Sequence, residues 1–143
     1  MPLPEFWQAI AQFNEQQFYA CHDTLEALWL EASETDKNFY QGILQIAVAC
    51  YHLGNYNWRG AVILLGEGIK RLSDYQPVYE DIDVTNLLEE SNRLLKGLQQ
   101  IEPEQIAQFV QKLQPSIPVR QQHSQEAILV YRLPTIIRVN DDT

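Results

Sequence analysis

His22 and Glu26 stand four residues apart in the stretch FYACHDTLEALW, residues 18–29. On a helix that spacing stacks an imidazole and a carboxylate one turn apart on a single face. Such a pair is chemically versatile. It can supply two ligands to a divalent transition metal, or a carboxylate that orients an imidazole for general acid/base work. Each helical residue advances by about 100°, so with His22 as origin Phe18 falls near −40°, Leu25 near −60°, Trp29 near −20° and Glu26 near +40°. His22 and Glu26 are therefore expected in the arc that packs inward. Asp23, near +100°, is expected at its wet edge.

A second polar stripe follows thirty residues on. Between Asn38 and Trp58 the chain carries no Asp, Glu, Lys or Arg, which predicts a central, deeply packed helix. Asn38, Gln41, Gln45 and His52 fall within one narrow arc of it. An exposed stripe ordinarily carries Lys or Glu; amides and an imidazole belong where a partner meets each, because an unpaired buried polar group costs about 1–3 kcal/mol. The two stripes are expected to converge into a buried polar site, with Trp29 closing one end. In that site His22, Glu26 and His52 are the candidate catalytic residues and also the candidate metal ligands. Gln41, Gln45, Trp29 and Arg59 are the candidate ligand-binding residues, with Arg59 placed to hold an anion. An enzyme built this way would perform acid/base or metal-assisted hydrolysis on a small molecule. The competing reading is a satisfied interhelical hydrogen-bond network that only fixes helix register.

The elements that must position these groups are helical. Pro4 opens a first helix through about Phe13, and Asn14 is the expected N-cap of a second running to Ala32. Thr35 or Asp36 is expected to cap a third helix, Lys37 to Leu53, with Gly54 as its left-handed stop. A fourth runs from Trp58 to Ser73, where Gly66 and Gly68 suit close helix–helix contact. An acidic loop with Pro77 then leads to a fifth helix whose apolar face is Leu87, Leu88, Leu94, Leu95 and Leu98. Pro103 starts a short sixth ending near Leu113. The expected fold is all-α: a compact bundle of about six helices over residues 1–115, then an extended tail, 116–143, packed on the bundle or on a partner. Pro134 bars a regular central strand in that tail, and His123 is expected to be solvated.

The 143 residues fit one domain with a genuine core. A net charge of −9 with only ten Lys and Arg argues against nucleic acid or an anionic membrane as partner, since phosphate recognition depends on those two residues. Cys21 and Cys50 lie in apolar helical patterns and read as buried reduced thiols. The start MPLPEFWQAI lacks a basic segment followed by an apolar run, and the most apolar stretch, Ile43 to Leu53, is shorter than the roughly 20 residues of a membrane span. A soluble cytoplasmic protein is expected.

The stretches FNEQQFYACHDTLEALWLEA and FYQGILQIAVACYHLGNYNWRGAVILL together resemble the domain of unknown function 309. The resemblance is carried by Phe13, Asn14, Phe18, Tyr19, His22, Glu26 and Trp29, then by Gln41, Gly42, Gln45, His52, Gly54, Asn55, Gly60 and Ala61, over residues 10–72. Asp23 stands where that family has Glu, and Gln16 or Gln17 where it has Gly. The resemblance implies a compact helical bundle and supplies no activity. YHLGNYNWRGAVILLGEGI is also superficially similar to a tetratricopeptide helix pair, but no second copy follows at about 34 residues. A helical interaction module, binding a partner peptide or a second copy of this chain as a homo-oligomer, is the alternative function.

Overall fold

The computed structural model describes residues 2–113 and 131–139. The described residues form six α-helices and one two-stranded hairpin, the all-α architecture expected. The helices are α1 (Pro4–Asn14), α2 (Phe18–Leu30), α3 (Glu34–Gly54), α4 (Trp58–Leu72), α5 (Val84–Gln99) and α6 (Ile106–Gln111). Antiparallel strands β1 (Val78–Tyr79) and β2 (Ile82–Asp83) lie between α4 and α5. Among the described residues no helix is long and apolar enough to cross a membrane.

Helix boundaries follow local chemistry, and several differ from expectation. Asn14 ends α1 instead of capping α2; the turn is made at Gln16, whose φ is 65°. Ser33, not Thr35 or Asp36, caps α3, its Oγ accepting the Asp36 N–H at 3.3 Å. The left-handed residue after α3 is Tyr56, with φ 61°, rather than Gly54. Asn57 caps α4 through the Gly60 N–H at 3.0 Å, and Asp83 caps α5 through the Asn86 N–H at 2.9 Å. The acidic loop contains the hairpin, turned by Glu80 and Asp81 with φ of 49° and 64°. Two successive positive φ values match the right-handed strand twist that tight hairpins require.

Helix α3 is the central element, packing most extensively on α4 and then on α2. Its close approach to α4 requires missing side chains. A Cβ on Gly68 would sit 2.9 Å from the Gly42 carbonyl oxygen and 2.7 Å from Ile46 Cγ1. Gly66 meets nothing within 4 Å, so only one of the two α4 glycines is a contact point. The core joins Phe6, Phe13, Leu25, Phe39, Ile43, Ile46, Leu53, Leu65, Leu87 and Leu94, all fully buried. Cys21 and Cys50 are buried and free. Burial pushes both thiols up to about 12, with Cys21 also raising Cys50.

Residues 131–139 run extended over the bundle. Ile136 is buried, Thr135 N–H donates to Glu90 Oε1 at 2.8 Å, and the Arg138 guanidinium lies 4.1 Å over the Trp7 ring. An isolated antiparallel bridge ties Ile82 to Arg138. No regular strand forms around Pro134. His123 and most of the run AILVYRL lie outside the described residues.

Candidate functional site

Helices α2 and α3 pack side by side and bring His22 opposite His52. Both rings line a small aromatic groove of about 140 Å3 with Phe18, Tyr19, Val48 and Tyr51. His22 is half-buried, its side chain 30% exposed, and its Nδ1 lies 3.1 Å from Asp23 Oδ1. Because an ionised carboxylate only accepts, Nδ1 carries the hydrogen in this contact. The Tyr19 ring stands edge-on to His22 with centroids 6.0 Å apart, and also packs on Tyr51 at 5.4 Å. His52, in the last turn of α3, is half-buried with Nδ1 3.3 Å from Asn57 Nδ2. Gly60 lets the His52 ring pack closely against the start of α4: a Cβ there would fall 2.9 Å from His52 Cδ2.

Glu26 is exposed, which corrects its expected place in the packing arc. The buried positions of α2 are Phe18, Cys21 and Leu25. Cys21, near −100° from His22, pulls the centre of that arc away from His22. It leaves His22 at the rim and Glu26 outside it. The consequence is a different cluster. Ligand atoms of His22, Asp23 and Glu26 all lie within 4.8 Å of one another on the outer face of α2. His52 is not part of that cluster, and Asp23, expected to be peripheral, is. The signal for Asp23 was present in the sequence: three residues before Glu26, it shares that residue's outward face.

The amide stripe belongs to a second place. Gln41 and His52 are eleven residues apart, about 16 Å along α3, so one small pocket cannot hold both. Gln41 and Trp29 line an open polar cavity of about 700 Å3 with Glu34, Lys37, Asn38, Arg71 and Tyr75. Gln45 is buried beside it and faces α4 instead of α2. Its Nε2 donates to Glu67 Oε1 at 3.2 Å, and its Oε1 accepts from Arg71 Nε at 3.1 Å. Arg71 also donates from Nη1 to Asn38 Oδ1. The Lys37 ammonium sits 4.6 Å over the Trp29 ring. Arg59 stands exposed in the first turn of α4 and lines neither place. The arginine that enters a polar cavity is Arg71, nearly one helix length further on, which the sequence patterns did not single out.

Residues 6–64, from α1 into α4, match the domain of unknown function DUF309. The resemblance drawn from residues 10–72 is thus borne out over most of that span. Over 113 residues the chain is 28% identical to the uncharacterized protein YpuF of Bacillus subtilis (strain 168), an alignment covering 78% of this chain and 62% of that relative. The chain therefore spans less than two thirds of the length of the curated relative it matches. No solved structure matches it. His22, Asp23, Glu26 and His52 all fall inside the matched residues, whereas Glu67 and Arg71 fall beyond them.

Proposed function

We propose that the chain binds a divalent transition metal on α2 through His22, Asp23 and Glu26. The observation that carries this reading is the gathering of one imidazole and two carboxylates, with ligand atoms within 4.8 Å, on a solvent-facing helix surface. One nitrogen and two oxygens suit Zn2+, Mn2+, Fe2+ or Co2+ better than a soft ion such as Cu+. Metal bonds of about 2.1 Å place neighbouring donors roughly 3–3.5 Å apart, so the cluster closes onto an ion by side-chain rotation. Glu26 makes no hydrogen bond to a described residue that would oppose this. Asp23 exchanges its contact with the His22 ring for a metal–oxygen bond.

Three protein donors leave at least one metal position open, as in catalytic rather than closed structural sites. A metal held there would supply Lewis acidity, enough to acidify a bound water near neutral pH. The groove beside it, walled by Tyr19, Tyr51 and His52, supplies an apolar seat with one imidazole for a small substrate. Metal-assisted hydrolysis is the reaction class this arrangement fits.

The test is uptake of metal by tag-free protein stripped with a chelator. Saturable binding of Co2+, read from its visible absorption bands, with a rise in melting temperature on Zn2+ addition, is the expected result. Equal uptake by His22→Ala would show that the ion goes elsewhere and would end this reading.

A further inference from the structure

Arg71 is held in an unusual way. Its side chain is half-buried between α3 and α4, a place where an uncompensated charge is costly. Among the described residues no carboxylate oxygen lies within 4.0 Å of its guanidinium. Its partners are two neutral amide oxygens, Gln45 Oε1 and Asn38 Oδ1. The Gln45 orientation is fixed by chemistry: a carboxylate can only accept and a guanidinium can only donate, so the amide between Glu67 and Arg71 has a single workable direction. Gln45 thus acts as a neutral spacer, keeping Glu67 off the arginine while aiming it. A direct Glu–Arg pair would orient the guanidinium just as well but would occupy it.

The hydrogen bonds use two of the five guanidinium N–H groups, one on Nε and one on Nη1. The other N–H groups remain for the open cavity that Arg71 lines. A second cation, Lys37, lines the same cavity and is likewise within 4.0 Å of no described carboxylate; it rests on the Trp29 ring. Gln41 adds an amide. Among the described residues Glu34 is the one acid on the rim, exposed in the first turn of α3 and paired with neither cation. The Tyr75 hydroxyl is spent on the Thr35 carbonyl at 2.7 Å, leaving its ring as wall.

The geometry points to an oxyanion site: the Arg71 guanidinium and Lys37 ammonium receive the phosphate or carboxylate group of a small organic molecule whose body lies against Trp29 and Tyr75. This is a second site, independent of the metal on α2. It needs no Asp or Glu to change state, and it explains why the third helix carries amides where a structural network would do as well with acids.

Trp29 reports on the site, because an anion that draws Lys37 off its ring changes its fluorescence. Titration at low ionic strength with inorganic phosphate and, separately, with acetate is expected to give a saturable change that Trp29→Phe removes. Saturation by phosphate alone assigns a phosphorylated ligand, and by acetate alone a carboxylate. The decisive variant is Asn38→Asp, which keeps the hydrogen bond to Arg71 but adds a carboxylate that fills it. At least a tenfold loss of affinity with an unlowered melting temperature is expected. Arg71→Lys, which keeps the charge but not the fork, should also weaken binding. Absence of saturation with both anions, an equal response to chloride, or full affinity in Asn38→Asp would each overturn the proposal.

Discussion

Asn14 and Ile136 clasp each other through a complete amide–backbone pair. Asn14 Nδ2 donates to the Ile136 carbonyl at 2.9 Å, and Asn14 Oδ1 accepts the Ile136 N–H at 2.8 Å. Ile136 is buried, so its backbone groups need these partners. Replacing Asn14 by Ala is expected to cost about 1–3 kcal/mol. Asn14→Asp keeps the acceptor for the Ile136 N–H but sets a second acceptor against the Ile136 carbonyl, so it should cost at least as much. Hydrogen exchange checks this: amides of residues 131–139 should lose protection before those of α3. Uniform loss across the bundle would contradict it.

Two glycines two residues apart in α4 should respond to alanine with opposite signs. Gly68→Ala drives a methyl into the Gly42 carbonyl and Ile46, and overpacking of that kind costs about 1–3 kcal/mol. Gly66 has nothing within 4 Å, so Gly66→Ala gains helix propensity, up to about 1 kcal/mol. Urea unfolding midpoints measure both. A neutral Gly68→Ala would show that α3 and α4 can separate at no cost.

The metal reading separates two sets of ligands. If His22, Asp23 and Glu26 hold the ion, Asp23→Asn should weaken Zn2+ affinity at least as much as a lost second-shell partner does, roughly 10–100-fold. His52→Ala should leave affinity within a few-fold and alter only what the groove accepts. The reverse ranking would restore the set His22, Glu26 and His52. Competition with a chelating dye gives the numbers.

Alkaline pH should unfold this protein through its thiols. Burial raises the Cys21 and Cys50 thiols from about 9 to about 12. The unfolded chain therefore loses these protons first as pH rises, and the folded state binds more protons between those values. Their contribution to stability is complete below about pH 9 and is lost as pH climbs toward 12. Each thiol gives a slope of about 1.4 kcal/mol per pH unit. Urea midpoints under reductant should fall over that window, and Cys21→Ala with Cys50→Ala should remove that part of the slope. Native protein at pH 8 should resist iodoacetamide.

Hydrophobic spacing was enough to read the helices, because their apolar positions recur at the helical period and the connectors between them are short. It was enough to mark α3 as central, since no charge interrupts the run from Asn38 to Trp58. What it could not supply was where each buried arc is centred. Angles measured from His22 made Glu26 look inward; measured from Cys21 and Leu25, which are fully buried, they put it outside. Axial distance was the second gap. An arc aligns Gln41 with His52, yet the rise along α3 separates them into two places. The Glu80–Asp81 turn carries no Gly or Asn and gave no sign of its positive φ values. Arg71 carried no signal in the sequence, because its place is set by Gln45 facing α4 rather than α2.

The packing order also bears on how the chain reaches this state. The principal helix contacts join sequence neighbours: α1 with α2, α2 with α3, α3 with α4, and α4 with α5. Contacts of short sequence separation close small loops and form fast. The Asn14–Ile136 clasp is the opposite case, joining residues 122 apart. A nascent chain can thus complete its helical body while residues 131–139 are still unmade, and the clasp forms last, as a seam closed over an assembled bundle.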